Sequence, residues 1–108
     1  RVRMLFVMAG NPVLSAPDGG RTDAALAGLD LMVSFDMYVT ETSRHAHYIL
    51  PPCGPLEKDH YPLFFGPLAI RNYGAYSPAL LEMEPGTKAD WEIVTELAAA
   101  IHAAKGEA

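Results

Sequence analysis

The chain has 108 residues, half of them hydrophobic and 19% charged, with 13 acidic against eight basic side chains and a formal net charge of −5. That length suits one domain with a real core, and no apolar run approaches the ~20 residues of a membrane helix. An acidic chain without a Lys/Arg cluster lacks the phosphate-neutralising surface of a nucleic-acid binder. Cys53 is the only cysteine, which excludes an internal disulfide and fits a reducing, cytoplasmic setting. No C-x-x-C is present, so a zinc ribbon or an iron–sulfur cluster held by this chain is not expected.

The sequence opens on "RVRMLFVMAG" without an initiator Met. The apolar run meets Gly10, Asn11 and Pro12 rather than a small-residue cleavage site, so it does not read as a signal peptide. A chain that starts directly on a strand reads as one domain, residues 1–108, cut from a larger polypeptide. Residues 2–9 have the composition of a strand buried on both faces. Residues 11–19 read as a loop. "GRTDAALAGLD" reads as a helix that Thr22 can cap, with Ala24, Leu26 and Leu29 as a modest apolar stripe. "LMVSF", residues 31–35, is a second buried strand. "DMYVTETSRHA" suits a short helix or helical turn, and "HYIL", residues 47–50, a third strand stopped by Pro51 and Pro52. This alternation predicts an α/β fold with a mainly parallel sheet between helical layers.

The stretch 51–78 is rich in Pro, Gly and aromatics. It reads as an ordered loop with short extended pieces, of a length that is often functional or covered by a partner. Phe64, Phe65 and Tyr73 within it suggest packing against something outside the chain. In the last segment Ile93, Val94, Leu97 and Ile101 repeat at helical spacing. Thr87 or Asp90 can cap that helix, and its stripe should close the open face of the sheet.

Asp36 ends the second strand, where doubly wound folds place their ligand crevice. A carboxylate there can hold a ribose hydroxyl pair or the two adjacent N–H donors of guanine; it can equally serve as a helix N-cap. "GNPVLS" lacks the G-x-G-x-x-G fingerprint, so an ordinary NAD site is not expected. The loop's backbone N–H groups could still meet another phosphate-bearing ligand. His45 and His47, two apart on a strand edge, would point to opposite faces and could not chelate one metal together. These two, like His60 and His102, read as surface histidines. Cys53, between Pro52 and Gly54, reads as an inert thiol. Ser15 and Ser43 lack the G-x-S-x-G setting of a hydrolase nucleophile. No catalytic or metal-ligating residue is assigned.

Taken in order, "GNPVLSAPD", "LMVSFDMYVTETSRHAHYILPPCGPLEKD" and "GTKADWEIVTELAAAI" resemble the molybdopterin oxidoreductases, the large subunits related to dimethyl sulfoxide reductase and formate dehydrogenase. Gly10, Asn11 and Pro12 correspond to the family's G-x-N-P, with Gly10 directly before Asn11 here. Asp36, Thr40, Glu41 and Thr42 match its D-x-x-x-T-E-T. Leu50, Pro51 and Glu57 match a later L-P and acidic residue. His47 stands where the family usually has Asp, and the Arg-rich stretch that often follows is absent. The resemblance implies the third domain of such an enzyme, one of two Rossmann-like domains that hold bis(molybdopterin guanine dinucleotide) with molybdenum or tungsten. It implies a pocket for the guanosine end built from Gly10, Asn11, Pro12, Ser15, Asp36, Thr40, Glu41 and Thr42. It also implies the parent's remaining domains as partners, an electron-transfer subunit, and a metal ligand and any iron–sulfur cluster upstream. Cytoplasmic residence and twin-arginine export of the parent both remain compatible with it. Two other readings stay open: a cofactor-free structural domain of the same fold in a redox complex, and a stand-alone α/β interaction module.

Overall fold

Five consecutive apolar or small residues, Leu31 to Phe35, favour a strand buried on both faces, and in the computed structural model they form the centre of the sheet. The structure describes residues 1–62, 66–71 and 73–106. Strand β1 is Met4–Met8, β2 is Leu31–Phe35 and β3 is Tyr48–Ile49. They lie in the order β1-β2-β3 and every pairing is parallel. The register sets Met4 beside Leu31 and Met8 beside Phe35, with Val33 beside Tyr48. The chain is therefore α/β.

Two helices fill the first crossover: α1, Pro12–Ser15, and α2, Gly19–Leu26. The second crossover carries only a 3-10 turn, Ser43–His45. The long helix α3, Asp90–Lys105, ends the described chain. Strand alternation divides the sheet's side chains between its faces. Val7 and Met32 share one face and pack with Leu26 of α2, joined by Leu5, Val13, Leu29 and Ala46. Phe6, Met8 and Phe35 share the other, where Val94, Leu97, Ala98 and Ile101 of α3 line a cleft with them.

Several boundaries differ from the sequence reading. The stretch 11–19 is not all loop, because Pro12 opens α1 with its fixed φ in the first helical position. Helix α2 starts earlier and stops at Leu26, short of Asp30. Its N-cap is Asp18, which accepts the Arg21 N–H at 3.3 Å; Thr22 lies inside the helix, its hydroxyl donating to the Asp18 carbonyl. Helix α3 is capped neither by Thr87 nor by Asp90. Ala89 holds the N-cap position, and the Glu92 carboxylate reaches back to its N–H at 2.8 Å. Thr87 bonds the Glu84 carbonyl and Asp90 pairs with Lys58 at 2.8 Å.

The sheet's burial is uneven. Met32 to Phe35 are buried, whereas only Val7 of β1 is. Residues 2–9 thus match a doubly buried strand in composition but not in this structure. Nor does α3 close its face of the sheet: none of its residues is buried, and Ile101 is exposed. In the long second-half loop His60 and Ser77 form an antiparallel bridge, and Gly66–Leu68 make a 3-10 turn. Tyr73 is exposed as expected, while Phe64 and Phe65 lie outside the described residues. The radius of gyration is 16.7 Å, against about 13 Å for a compact chain of this length.

Candidate functional site

Parallel strands deliver their following loops to one edge of the sheet, so β1 and β2 bring Gly10–Pro12 and Asp36–Thr42 together. The chain leaves β1 through Ala9, which adopts a left-handed φ of 47° while its N–H still bonds the Phe35 carbonyl. A non-glycine residue there carries about 1–2 kcal/mol of strain. Such strain collects where backbone shape serves a site.

Asn11 is the N-cap of α1, but its side chain does not cap. Its Oδ1 instead accepts the Thr42 hydroxyl at 2.6 Å, and its Nδ2 donates to Glu41 Oε2 at 2.9 Å. Both partners agree on the orientation of the amide. Thr42 does the capping from the second crossover: its Oγ1 accepts the Val13 N–H at 3.0 Å. Val13 N–H, Thr42 hydroxyl, Asn11 amide and Glu41 carboxylate thus form one directional chain of hydrogen bonds, a kind of series in which each bond polarises the next. Thr42 is fully buried. The Asn11 amide, then Glu41's own N–H and the nearby Arg44 charge, hold the Glu41 carboxyl below its ordinary range against a smaller opposing effect of burial.

Asp36 is half-buried at the end of β2. Its Oδ1 accepts the Tyr38 N–H at 3.2 Å, closing a turn rather than capping a helix. Its other oxygen, Oδ2, takes no hydrogen bond among the described residues. Thr40 is committed inward: its hydroxyl meets Ser43 Oγ at 3.1 Å and accepts the Ser43 N–H, while the Thr40 N–H bonds Ser43 Oγ at 2.7 Å. Ser15 donates to the Asn11 carbonyl. A Cβ on Gly10 would meet only ordinary contacts, Met8 O at 3.6 Å and Pro12 Cδ at 4.0 Å, so this chain's own packing does not demand glycine there.

The sequence reading missed three contributors. Ser43, fully buried, donates to the Tyr38 carbonyl and closes the loop that carries Thr40. The T-x-x-S spacing was its available signal. Ala9 shapes the exit from β1. Asp23 ties α2 to the second crossover, with His45 Nε2 and Arg44 each 2.6 Å from its Oδ1. Those two hydrogen bonds, His45 first, keep the Asp23 carboxyl below its ordinary range. His45 therefore belongs to the 3-10 turn and not to a strand. His47 precedes β3, its Nδ1 accepting the Met32 N–H at 3.0 Å. A carboxylate at that position would offer the same kind of acceptor. Cys53 is buried, and its N–H bonds the Lys88 carbonyl. Glu57 folds back to the Gly54 N–H at 2.6 Å. Among the described residues no three His, Cys, Asp or Glu side chains gather as a metal-ligand group, and no helix is long and apolar enough to cross a membrane.

This geometry defines an α/β domain whose carboxyl sheet edge brings together two hydrogen-bonded loops carrying the Asp36 and Glu41 carboxylates. The family model for molybdopterin oxidoreductase matches residues 1–100, and the chain belongs to that family. It is 30% identical over 101 residues to the assimilatory nitrate reductase catalytic subunit of Bacillus subtilis, covering 93% of this chain and 13% of that protein. It is 38% identical over 58 residues to the F420-dependent formate dehydrogenase subunit alpha of Methanocaldococcus jannaschii, covering 54% and 9%. A third relative is the NADPH-Fe(3+) oxidoreductase subunit alpha of Geobacter sulfurreducens, 31% identical over 98 residues, covering 89% and 11%. The chain thus spans 9–13% of the length of these relatives.

Proposed function

We propose that this chain is a Rossmann-like domain, the third, of a larger molybdopterin-dependent oxidoreductase, and that its crevice holds the guanosine end of molybdopterin guanine dinucleotide. The observation that carries the reading is the clamp between the two crossovers. The chain from Val13 through Thr42 and Asn11 to Glu41 fixes the G-N-P turn against the T-E-T loop at the carboxyl edge of adjacent parallel strands.

The donor set suits that end of the cofactor. Asp36 and Glu41 present carboxylate acceptors, which match the N–H edge of guanine or a ribose hydroxyl pair. Arg44, the basic residue nearest in sequence to Glu41, is spent on Asp23. The crevice therefore favours the nucleoside over the pyrophosphate. Asp36, with a free oxygen, is the principal recognition group. Gly10 lets the backbone approach closely, while Asn11, Pro12, Ser15, Thr40 and Thr42 hold the shape around Asp36 and Glu41. When bound, the cofactor supplies two-electron redox chemistry at molybdenum or tungsten; this chain binds and orients it. The parent's other domains would supply the metal ligand and any iron–sulfur cluster, with an electron-transfer subunit as its redox partner.

One observation favours the cofactor-free alternative: Thr40, Thr42 and Asn11 satisfy each other's hydrogen bonds or those of neighbouring residues. The substitution Asp36→Asn in the parent separates the readings, because Asn keeps the acceptor for Tyr38 N–H. Charge-assisted bonds contribute about 1.5–3 kcal/mol each, so bound guanine nucleotide should fall at least ~10-fold, with the melting temperature retained. Unchanged nucleotide content would remove Asp36 from the site.

A further inference from the structure

Between Asp36 and Thr40 the chain runs through Met37, Tyr38 and Val39, three hydrophobic residues just past the carboxyl end of β2. All three are exposed, Tyr38 by 72%. A single exposed tyrosine needs no explanation by itself. The backbone of this one, however, is fixed from both sides. Its N–H donates to Asp36 Oδ1 at 3.2 Å, and its carbonyl accepts the Ser43 hydroxyl at 3.0 Å. Ser43 is fully buried, and the same Oγ accepts the Thr40 N–H at 2.7 Å. Tyr38 is thus tied to the Asp36 carboxylate on one side and to a buried hydroxyl on the other, while its side chain stays in solvent.

A backbone held in this way is ordered before any ligand arrives, which lowers the cost of binding. A tyrosine ring adds only two rotatable angles and presents a large flat surface. Met37 and Val39 offer contact area on the same loop but no π face. Tyr76 is also exposed, but it lies in the second-half loop and its hydroxyl donates to Asp59 at 2.5 Å. Tyr38 is therefore the aromatic side chain carried by the same turn as the Asp36 carboxylate.

We infer that Tyr38 is a stacking platform for the purine of the bound nucleoside: the Asp36 carboxylate takes an N–H edge or a hydroxyl pair, and the Tyr38 ring takes the face of the base. The inference rests on the nucleoside crevice proposed above and deepens it by one residue. A carboxylate alone leaves both faces of a base in water, whereas an aromatic ring covers one of them. Stacking tolerates any base, because every base has a π face. Tyr38 accordingly contributes affinity without choosing the base.

The test compares Tyr38→Leu, Tyr38→Phe and Asp36→Asn in the full-length, cofactor-loaded parent. The rate at which guanine nucleotide is lost on dialysis is measured, with the melting temperature of each nucleotide-stripped protein as a control on the fold. Tyr38→Leu should lose nucleotide roughly 10- to 100-fold faster. Tyr38→Phe should match the parent sequence, and the stripped proteins should melt together. Parent-like retention in Tyr38→Leu would overturn the inference. Equal loss from the Leu and Phe variants would also overturn it, since the hydroxyl and not the ring face would then act. So would a stripped Tyr38→Leu protein that melts lower, since the ring would then be packed against protein. Asp36→Asn keeps the acceptor for the Tyr38 N–H and reports on the underlying reading. Fast loss from Asp36→Asn beside parent-like Tyr38→Leu would overturn the stacking role alone; parent-like retention in both would overturn the crevice with it.

Discussion

Strands β1 and β2 are neighbours of equal length, five residues each, and both are almost wholly apolar. One is buried from Met32 to Phe35; the other keeps three of its large side chains in solvent. Similar composition therefore does not decide burial: β2 lies at the centre of the sheet and β1 at its edge. The same division separates the two faces. The face under α1 and α2 carries the buried core and the polar ties between the crossovers, with a hollow left beside Val2 and Leu5, whereas on the other α3 has no buried residue and leaves a cleft.

The comparison can be broken most sharply at Met32. Met32→Ala empties a site with no solvent exposure and should cost about 2–5 kcal/mol. Met8→Ala on β1 should cost under about 0.5 kcal/mol in the 108-residue chain. Urea unfolding of both variants measures the gap; equal costs would mean that β1 is packed as tightly as β2. Next comes Gly19, where a Cβ would stand 2.2 Å from the Val13 carbonyl oxygen. That contact is backbone to backbone, so Gly19→Ala should force α1 and α2 apart at about 1–3 kcal/mol. A neutral result would show that the α1–α2 packing has slack.

Thr42→Val keeps the volume but removes the acceptor for Val13 N–H and the donor to Asn11. The expected loss is about 1–3 kcal/mol. The Glu41 carboxyl should also titrate higher as its Asn11 partner loosens, which carbon-detected NMR reads directly. Thr42→Ser should restore both. A Thr42→Val variant with an unmoved Glu41 titration would break the proposed chain of hydrogen bonds.

The smallest effect is the pH dependence of the tie through Asp23. His45 and Arg44 depress its folded-state pKa, so the unfolded state takes up a proton first as pH falls. The stabilisation is present above the unfolded-state value and disappears as pH drops through the folded-state value. Thermal melts of Asp23→Asn should accordingly converge on those of the parent sequence in acid and fall below them at neutral pH. A constant difference across that range would contradict the assignment.

How legible this was in the sequence depends on how local each cause is. The span of β2, the parallel α/β order and the long last helix follow from periodicity and from Gly and Pro punctuation. The resemblance to the family singled out Gly10, Asn11, Pro12, Ser15, Asp36, Thr40, Glu41 and Thr42 as one group, and the fold brings the two segments that carry them together. What it hid was the division of labour. Asn11 is a favoured capping residue, yet the cap comes from Thr42, 29 residues away from the N–H it accepts. Thr40 turns inward to Ser43 because a short hydroxyl bonds the nearest backbone. Helix caps were misassigned for a similar reason: Asp18 reaches its orphan N–H first, and Glu92 makes a capping side chain at Thr87 unnecessary. The exposure of β1 was invisible because its composition is that of a buried strand, and only the fold places it at an edge of the sheet.

The central claim is that the crevice between Gly10–Pro12 and Asp36–Thr42 receives a guanine nucleoside. The most direct measurement is a crystal structure of the cofactor-loaded parent, read at the Asp36 and Glu41 carboxylates. The account predicts a guanine edge or ribose hydroxyl pair within about 2.6–3.2 Å of Asp36 Oδ2, with the Asn11–Thr42 bond intact. A guanosine bound elsewhere, with this crevice filled by protein or water, would contradict it.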